Sequence, residues 1–181
     1  MTENDPGSGA GEKVPTRAEV PTSDARVQRA IELATLEAEL LDAKAYHAWK
    51  ALYADDGIYV IPIDREAEQF DDVLNMVYDD RRMRDLRVTR MTEGYSMASV
   101  DAATTARTVG RFVPAAVTDD TVELRFAQIL VAYKRGNHDL WAGDVEYVVR
   151  LGATAADDRV VRKIVRLVDS DDAVLAAGFL L

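Results

Sequence analysis

The sequence contains no cysteine and only two histidines, His47 and His138. Without cysteine the chain has no thiolate ligands for an iron–sulfur cluster and no disulfide framework. A mononuclear iron site built from two histidines and a carboxylate would use both histidines at once. We therefore expect no metal or cofactor in this chain, and the missing cysteines fit a reducing compartment.

Long apolar runs and an excess of basic charge are missing as well. No stretch approaches the roughly 20 apolar residues of a membrane-spanning helix, and no signal-peptide core is present. The 22 Lys and Arg are outnumbered by 32 Asp and Glu, which gives a formal net charge of −10. Phosphate contacts need concentrated Lys and Arg. We expect a cytoplasmic protein that binds neither membranes nor nucleic acid.

The composition is sufficient for one well-buried domain, because 48% of the 181 residues are hydrophobic. Residues 1–22 hold three glycines and three prolines among scattered charges, with no apolar period. We predict a flexible N-terminal tail over residues 1–22 and a single domain over residues 23–181.

Three helices are predicted in the first half of that domain. Ser23 or Asp24 can cap the first, whose apolar positions recur in steps of three and four from Val27 to Leu41. Asp42 can cap a second helix that ends near residues 55–57. A third is predicted over residues 78–91, with Asp79 and Asp80 near its positive N-terminal end and Met83, Leu86 and Arg90 or Met91 facing inward.

Strand patterns supply the rest of the fold. Residues 58–62 predict a brief edge strand that stops at Pro62. Past Gly94 the apolar period becomes two, and polar joints separate four long segments: Thr105–Val117, Thr121–Arg135, His138–Leu151 and Arg159–Val168. Helices followed by an antiparallel meander define an α+β architecture, in which a long, strongly twisted sheet can wrap into a cone.

One charged stretch carries a family pattern. It opens with Tyr78-Asp79-Asp80-Arg81 and continues through Leu86 to Arg87-Val88-Thr89-Arg90. Shorter matches lie in order along the chain: Leu40-Leu41-Asp42, Trp49 with Leu52, Asp56 with Tyr59 and Pro62, Ala142-Gly143 and Arg162-Lys163. From about Ala38 onward the chain resembles the small (β) subunit of aromatic-ring-hydroxylating dioxygenases. A basic stretch typical of that family is only partly present at residues 101–111, which indicates a divergent branch.

The resemblance implies a cone of the nuclear transport factor two (NTF2) type and a structural role without catalytic residues. It implies a partner, an iron-bearing α subunit with a Rieske cluster and mononuclear iron, in a hetero-oligomer of three plus three. A homo-trimer of this chain alone is the other assembly that it leaves open. The aromatic substrate is not predicted, because selectivity in this family lies mainly in the large subunit.

Six residues of the matched segments are interface candidates, since Trp, Tyr and Arg combine contact area with a polar group. They are Tyr78, Asp79, Arg81, Arg107, Arg111 and Trp141. The competing interpretation is that the three helix residues brace their own helix and that Trp141 fills the core. The apolar ending Phe179-Leu180-Leu181 is predicted to dock into a groove of its own or a neighbouring subunit.

Two other functions stay open. A stand-alone dehydratase or isomerase would use a carboxylate of raised pKa, with tyrosine donors, inside the cone. Asp144 or Glu146, Tyr59, Tyr147 and His138 are its candidates, although strand alternation places Glu146 and Tyr147 on opposite faces. A ligand-binding or oligomerising domain without chemistry is the third interpretation. The paired aspartates along the chain predict turns and caps, not a metal site.

Overall fold

The computed structural model describes residues 18–93, 103–170 and 179–181. Its elements in chain order are α1 (Ala25–Asp42), α2 (Tyr46–Ala51), β1 (Tyr53–Pro62), β2 (Asn75–Asp79), α3 (Arg81–Thr92), β3 (Thr104–Val117), β4 (Thr121–Lys134), β5 (Asn137–Arg150) and β6 (Arg159–Leu167). A single 3₁₀ turn, Ala155–Asp157, joins β5 to β6. Of the predicted N-terminal tail, residues 1–17 lie outside the described residues, and Val20 packs against the core.

The six strands form one sheet in the order β2-β1-β6-β5-β4-β3. All neighbouring pairs are antiparallel except β1 and β6, which run parallel. The four long predicted strands are confirmed within two residues at each end. Arg135 and Gly136 both have positive φ, which is the backbone of a two-residue hairpin turn whose twist matches that of β4 and β5.

The prediction for residues 53–62 was wrong in two ways. The second helix ends at Ala51, so that Tyr53 already belongs to β1. β1 is also no edge strand, because it lies between β6 and β2, a strand that the sequence analysis missed. Pro62 is tolerated because it sits at the end of β1, beside a register shift, where its missing N–H interrupts no central ladder.

The first residues of α2 and α3 also correct two predictions. Asp24 caps α1 as predicted, since its side chain accepts a bond of 2.9 Å from the main-chain N–H of Arg26. Asp42 does not cap α2, which begins after Ala45 without a side-chain cap. Asp42 lies instead in the last turn of α1 and accepts bonds from β3. α3 begins only at Arg81, with Asp80 as its cap, and Asp79 belongs to β2.

The core lies between the helices and the inner face of the sheet. β4 and β5 present a buried residue at every second position, as the period of two predicted. α1 buries an expected apolar stripe that also contains Glu37. α3 buries Arg84 and Val88, whereas Leu86, which we expected inside, is 45% exposed. No described helix combines the length and the hydropathy needed to cross a membrane.

A close approach of β1 to β6 requires glycine at position 57. A Cβ added to Gly57 would lie 2.6 Å from the main-chain oxygen of Val160, so the strands would have to separate. We expect Gly57→Ala to lower the free energy of unfolding by about 1–3 kcal/mol, as overpacking does elsewhere. Gly110→Ala is the matched control, because a Cβ there meets nothing within 4 Å. Equal urea midpoints for the two variants would contradict this account.

Candidate functional site

Three neighbouring strands place polar side chains on the inner face of the sheet. Lys163 of β6 is paired directly with Tyr59 of β1 on one side and with Tyr147 of β5 on the other. Directly paired residues point to the same face of a sheet, so the three side chains project together toward α1. All three are at least 98% buried.

Glu37 of α1 faces these three side chains from the helix side of the sheet. Its carboxylate pairs with Lys163 at 3.1 Å and accepts hydrogen bonds from Trp49 Nε1 at 2.9 Å and from the Tyr53 hydroxyl at 2.8 Å. Burial, followed by the negative charge of Glu37, raises the pKa of Tyr53 and of Tyr147 well above the ordinary value. Burial lowers the pKa of Lys163, and the charge of Glu37 opposes that shift. We call Glu37, Trp49, Tyr53, Tyr59, Tyr147 and Lys163 the interior cluster.

The space beside the interior cluster is filled by the end of the sequence. Leu180 and Leu181 are 4% and 2% exposed. The ring of Phe179 packs edge-on against Trp141, with centroids 5.5 Å apart. The prediction that these three residues dock into a groove is therefore confirmed, and the groove belongs to the same chain.

The carboxylates proposed for a stand-alone enzyme lie on the other face of the sheet. Asp144 forms ion pairs with Arg65 and Arg111, and its side chain is 47% exposed. Glu146 pairs with Arg166 at 2.8 Å. Tyr59 and Tyr147 do face inward, so the expected catalytic group is divided between two faces. His138 is exposed at the start of β5, against the ring of Tyr133.

Sequence reasoning missed the inward-facing charges, Glu37 and Lys163. The signal for Glu37 was present, since it falls between Ala34 and Leu41 in the buried three- and four-residue steps of α1. Lys163 had no such signal, because both faces of β6 carry charged and apolar residues. Within the described ranges, no group of three or more His, Asp or Glu is arranged to hold a metal ion.

Three of the six interface candidates have their side chains occupied within the chain. Asp79 is 1% exposed and forms an ion pair with Arg87 of α3. The side chain of Arg107 is 1% exposed and binds Asp42 at 2.8 Å. Trp141 is 7% exposed. The structure thus gives these three side chains contacts within the chain, and their place at an interface stays a prediction.

The other three candidates lie closer to solvent. Arg81 and Arg111 have side chains 63% and 66% exposed, with ion-pair partners Asp55 and Asp144. Arg111 adopts a positive φ of 59° at an irregularity in β3, an edge strand. Such backbone strain often accompanies function, and here it turns the residue out of the regular ladder. Tyr78 is half-buried and donates its hydroxyl to Asp71.

The contact between Tyr78 and Asp71 has a predicted pH signature. The hydrogen bond to Asp71, together with burial, raises the pKa of Tyr78 to about 12. Because the folded pKa exceeds the unfolded value near 10, the contact stabilises the fold below pH 10 and loses that effect toward pH 12. Tyr78→Phe should therefore lower the urea midpoint at pH 8, and the difference should vanish toward pH 12. A pH-independent difference, or an equal effect of Tyr133→Phe, would contradict the assignment.

A charged surface cleft lies at the start of α3. It encloses about 410 Å³ and is lined by residues that include Lys50, Arg81 and Asp85. Four of its charges form two ion pairs, Lys50 with Asp85 at 2.7 Å and Arg81 with Asp55 at 2.8 Å. Such internally paired charges favour a structural role for the cleft.

Comparison with known proteins agrees with this arrangement of helices on a six-stranded sheet. The family model described as ring hydroxylating beta subunit matches residues 36–171. The chain is 30% identical over 117 residues to the small oxygenase component of the p-cumate 2,3-dioxygenase system of Pseudomonas putida, an alignment that covers 63% of this chain and 64% of that relative. The match thus spans just under two thirds of that relative's length.

Two solved structures show the same fold. The beta subunit of benzoate 1,2-dioxygenase from Burkholderia mallei superposes with a TM-score of 0.69 at 22% identity, covering 89% of this chain and 100% of that one. An NTF2-like protein with a cystatin-like fold from Novosphingobium aromaticivorans has a TM-score of 0.55 at 20% identity, covering 83% and 85% of the two chains. The expected α+β cone is confirmed. This chain belongs to the ring hydroxylating beta subunit family.

Proposed function

We propose that this chain is the non-catalytic small subunit of an aromatic-ring-hydroxylating dioxygenase, which supports an iron-bearing large subunit in aromatic compound catabolism. The family match over residues 36–171 carries the proposal. The matched relative's name, a small oxygenase component of a dioxygenase system, agrees with it. The Rieske cluster and the mononuclear iron would belong to the large subunit, three of which would assemble with three copies of this chain in the cytoplasm.

The position of Leu180 and Leu181 beside the interior cluster favours this role over stand-alone catalysis. An enzyme acting in the cone needs room for a substrate beside its acid and base. In the described part of this chain, Leu180 and Leu181 occupy the space beside the interior cluster. The half-buried carboxylates Asp144 and Glu146 are paired with arginines on the opposite face. The contribution of the chain to catalysis would then be interface area and positioning, at roughly 800 Å² per partner.

Co-expression with a dioxygenase large subunit tests the proposal. The tagged chain should co-purify with the large subunit as an iron-containing heteromer. The ring-dihydroxylating activity of that heteromer should be lost when this chain is omitted from the expression. The mass of the intact complex would give the stoichiometry, for which three plus three is expected. A metal-free homo-oligomer that does not bind the large subunit would contradict the proposal.

We further propose that Arg81 and Arg111 contact that partner, since their side chains are accessible. Arg81→Ala or Arg111→Ala should weaken co-purification about tenfold, as loss of an interface arginine often does. The melting temperature of the isolated chain should hardly change, because exposed ion pairs stabilise little. Arg90→Ala, an exposed arginine at the other end of α3, is the control. If all three variants co-purify as the unaltered chain does, these two residues are not part of the interface.

A further inference from the structure

The last three residues make specific polar contacts inside the cone. The Tyr59 hydroxyl donates to the main-chain oxygen of Leu181 at 3.0 Å and accepts from its main-chain N–H at 3.1 Å. Lys163 Nζ donates to the same oxygen at 3.1 Å. Arg107 Nη2 donates to the main-chain oxygen of Leu180 at 3.1 Å. The side chains of Leu180 and Leu181 join the hydrophobic core.

These contacts come from groups that are costly to bury. Tyr59, Lys163 and the side chain of Arg107 are 0%, 2% and 1% exposed. A core built only for packing would place apolar side chains at such positions, since buried charges seldom stabilise more than well-packed hydrophobic residues. What the three donors have in common is that each binds the main chain of Leu180 or Leu181. Lys163 and Arg107 also pair with Glu37 and Asp42, and together with Tyr59 they hold this main chain.

A further buried hydrogen-bond donor lies next to this site. Arg107 Nη1 is buried and has no hydrogen-bond partner among the described residues. Buried polar atoms are almost always paired, so each unpaired one requires an explanation. Arg107 already binds Leu180 through its other terminal nitrogen. Nη1 is therefore a donor available beside the segment that fills the site.

We propose that the interior of the cone is a binding site for a short apolar peptide, which this chain occupies with its own Phe179-Leu180-Leu181. The site recognises an aromatic side chain through Trp141, two branched aliphatic side chains through the core, and main-chain oxygens through Tyr59, Lys163 and Arg107. This binding is independent of any large subunit. It follows that the same peptide binds in trans once residues 179–181 are removed.

The experiment uses the chain without residues 179–181 and the tripeptide Phe-Leu-Leu as the probe. Calorimetry should show saturable one-to-one binding, and the peptide should raise the melting temperature of the shortened chain. The full chain should show neither effect, since its site is filled. The peptide Phe-Asp-Asp should not bind, because its acidic side chains cannot enter the apolar part of the site.

Tyr59→Phe in the shortened chain tests the geometry of the site. The substitution keeps the ring and removes the hydroxyl that makes two hydrogen bonds to Leu181, so peptide affinity should fall about tenfold. Tyr133→Phe, on an exposed tyrosine, should leave the affinity unchanged. Equal affinities for these two variants would overturn the assigned contacts.

Two further outcomes bear on the proposal. If the shortened chain does not fold alone, refolding it with millimolar Phe-Leu-Leu should restore the native circular dichroism spectrum, while Phe-Asp-Asp should not. A shortened chain that gains no stability and binds no peptide overturns the proposal. So does a full chain that binds Phe-Leu-Leu as tightly as the shortened one. None of these measurements involves the large subunit, so they are independent of the test of the proposed function.

Discussion

Lys163→Met is expected to lower the free energy of unfolding by about 3–5 kcal/mol, the usual cost of removing one member of a buried ion pair. The ammonium group lies 3.1 Å from the Glu37 carboxylate and 3.1 Å from the main-chain oxygen of Leu181, and both side chains of the pair are 2% exposed. The substitution leaves the carboxylate buried without its counter-ion. Urea unfolding monitored by tryptophan fluorescence, with Trp49 bound directly to Glu37, would measure the change.

Two controls separate this effect from simple loss of packing. The double substitution Glu37→Leu with Lys163→Met should recover part of the loss, because no charge is then left unpaired. Arg150→Met breaks an ion pair with Asp56 whose two side chains are 51% and 64% exposed, and its urea midpoint should remain close to that of the unaltered chain. A double variant as unstable as the sum of its two single variants would show that the pair is not coupled.

Arg84→Leu is expected to have the second-largest effect, about 2–4 kcal/mol of unfolding free energy. Arg84 is 3% exposed and donates to the main-chain oxygens of Gly57, Asp79 and Ala54, with its guanidinium 4.5 Å from the centre of the Tyr53 ring. Leucine would bury those oxygens without their donor. The guanidinium thus attaches α3 to β1 and β2.

The control for Arg84 is Arg82→Leu, two residues earlier on the same helix. Arg82 is exposed and donates to no main-chain oxygen that the structure describes. Its substitution should change the urea midpoint only slightly, although it loses the same charge and gains the same side chain. If the two variants are equally stable, the bonds from Arg84 to β1 and β2 do not hold the helix in place.

The long strands could be predicted because each repeats its signal over many residues. β4 alternates from Val122 to Ala132 without interruption, and polar turns delimit it. Residues 53–62 do not repeat one apolar period over so many positions. Tyr46, Trp49 and Tyr53 fit a helical period, yet Tyr53 is drawn into β1 by its pairing with Val160. The spacing of residues along the chain carries no information about that long-range contact. The pairing with β6 therefore decided the conformation of Tyr53 against the local helical pattern.

The charged residues were predicted less well for the same reason. Arg81, Arg84 and Arg87 look alike in the sequence, but the first is exposed, the second is buried against main-chain oxygens, and the third is paired with Asp79. Helical spacing gives the direction of a side chain but not the element that covers it. Asp42 failed as a predicted cap because Thr105 and Arg107 reach it across the fold.

The parallel pairing of β1 with β6 has a consequence for biosynthesis. Ile58 is paired with Arg162, Glu37 with Lys163, and Arg29 of α1 with Asp158. These three partners of the first third of the domain are therefore added only with the last strand, whereas β2 and β3 supply other contacts earlier. At ribosomal speeds of about 5–20 residues per second, the hundred-odd residues between them take roughly 5–20 s to synthesise. Throughout that interval the β6-facing edge of β1 has no native partner, and an unpaired strand edge is a template for aggregation.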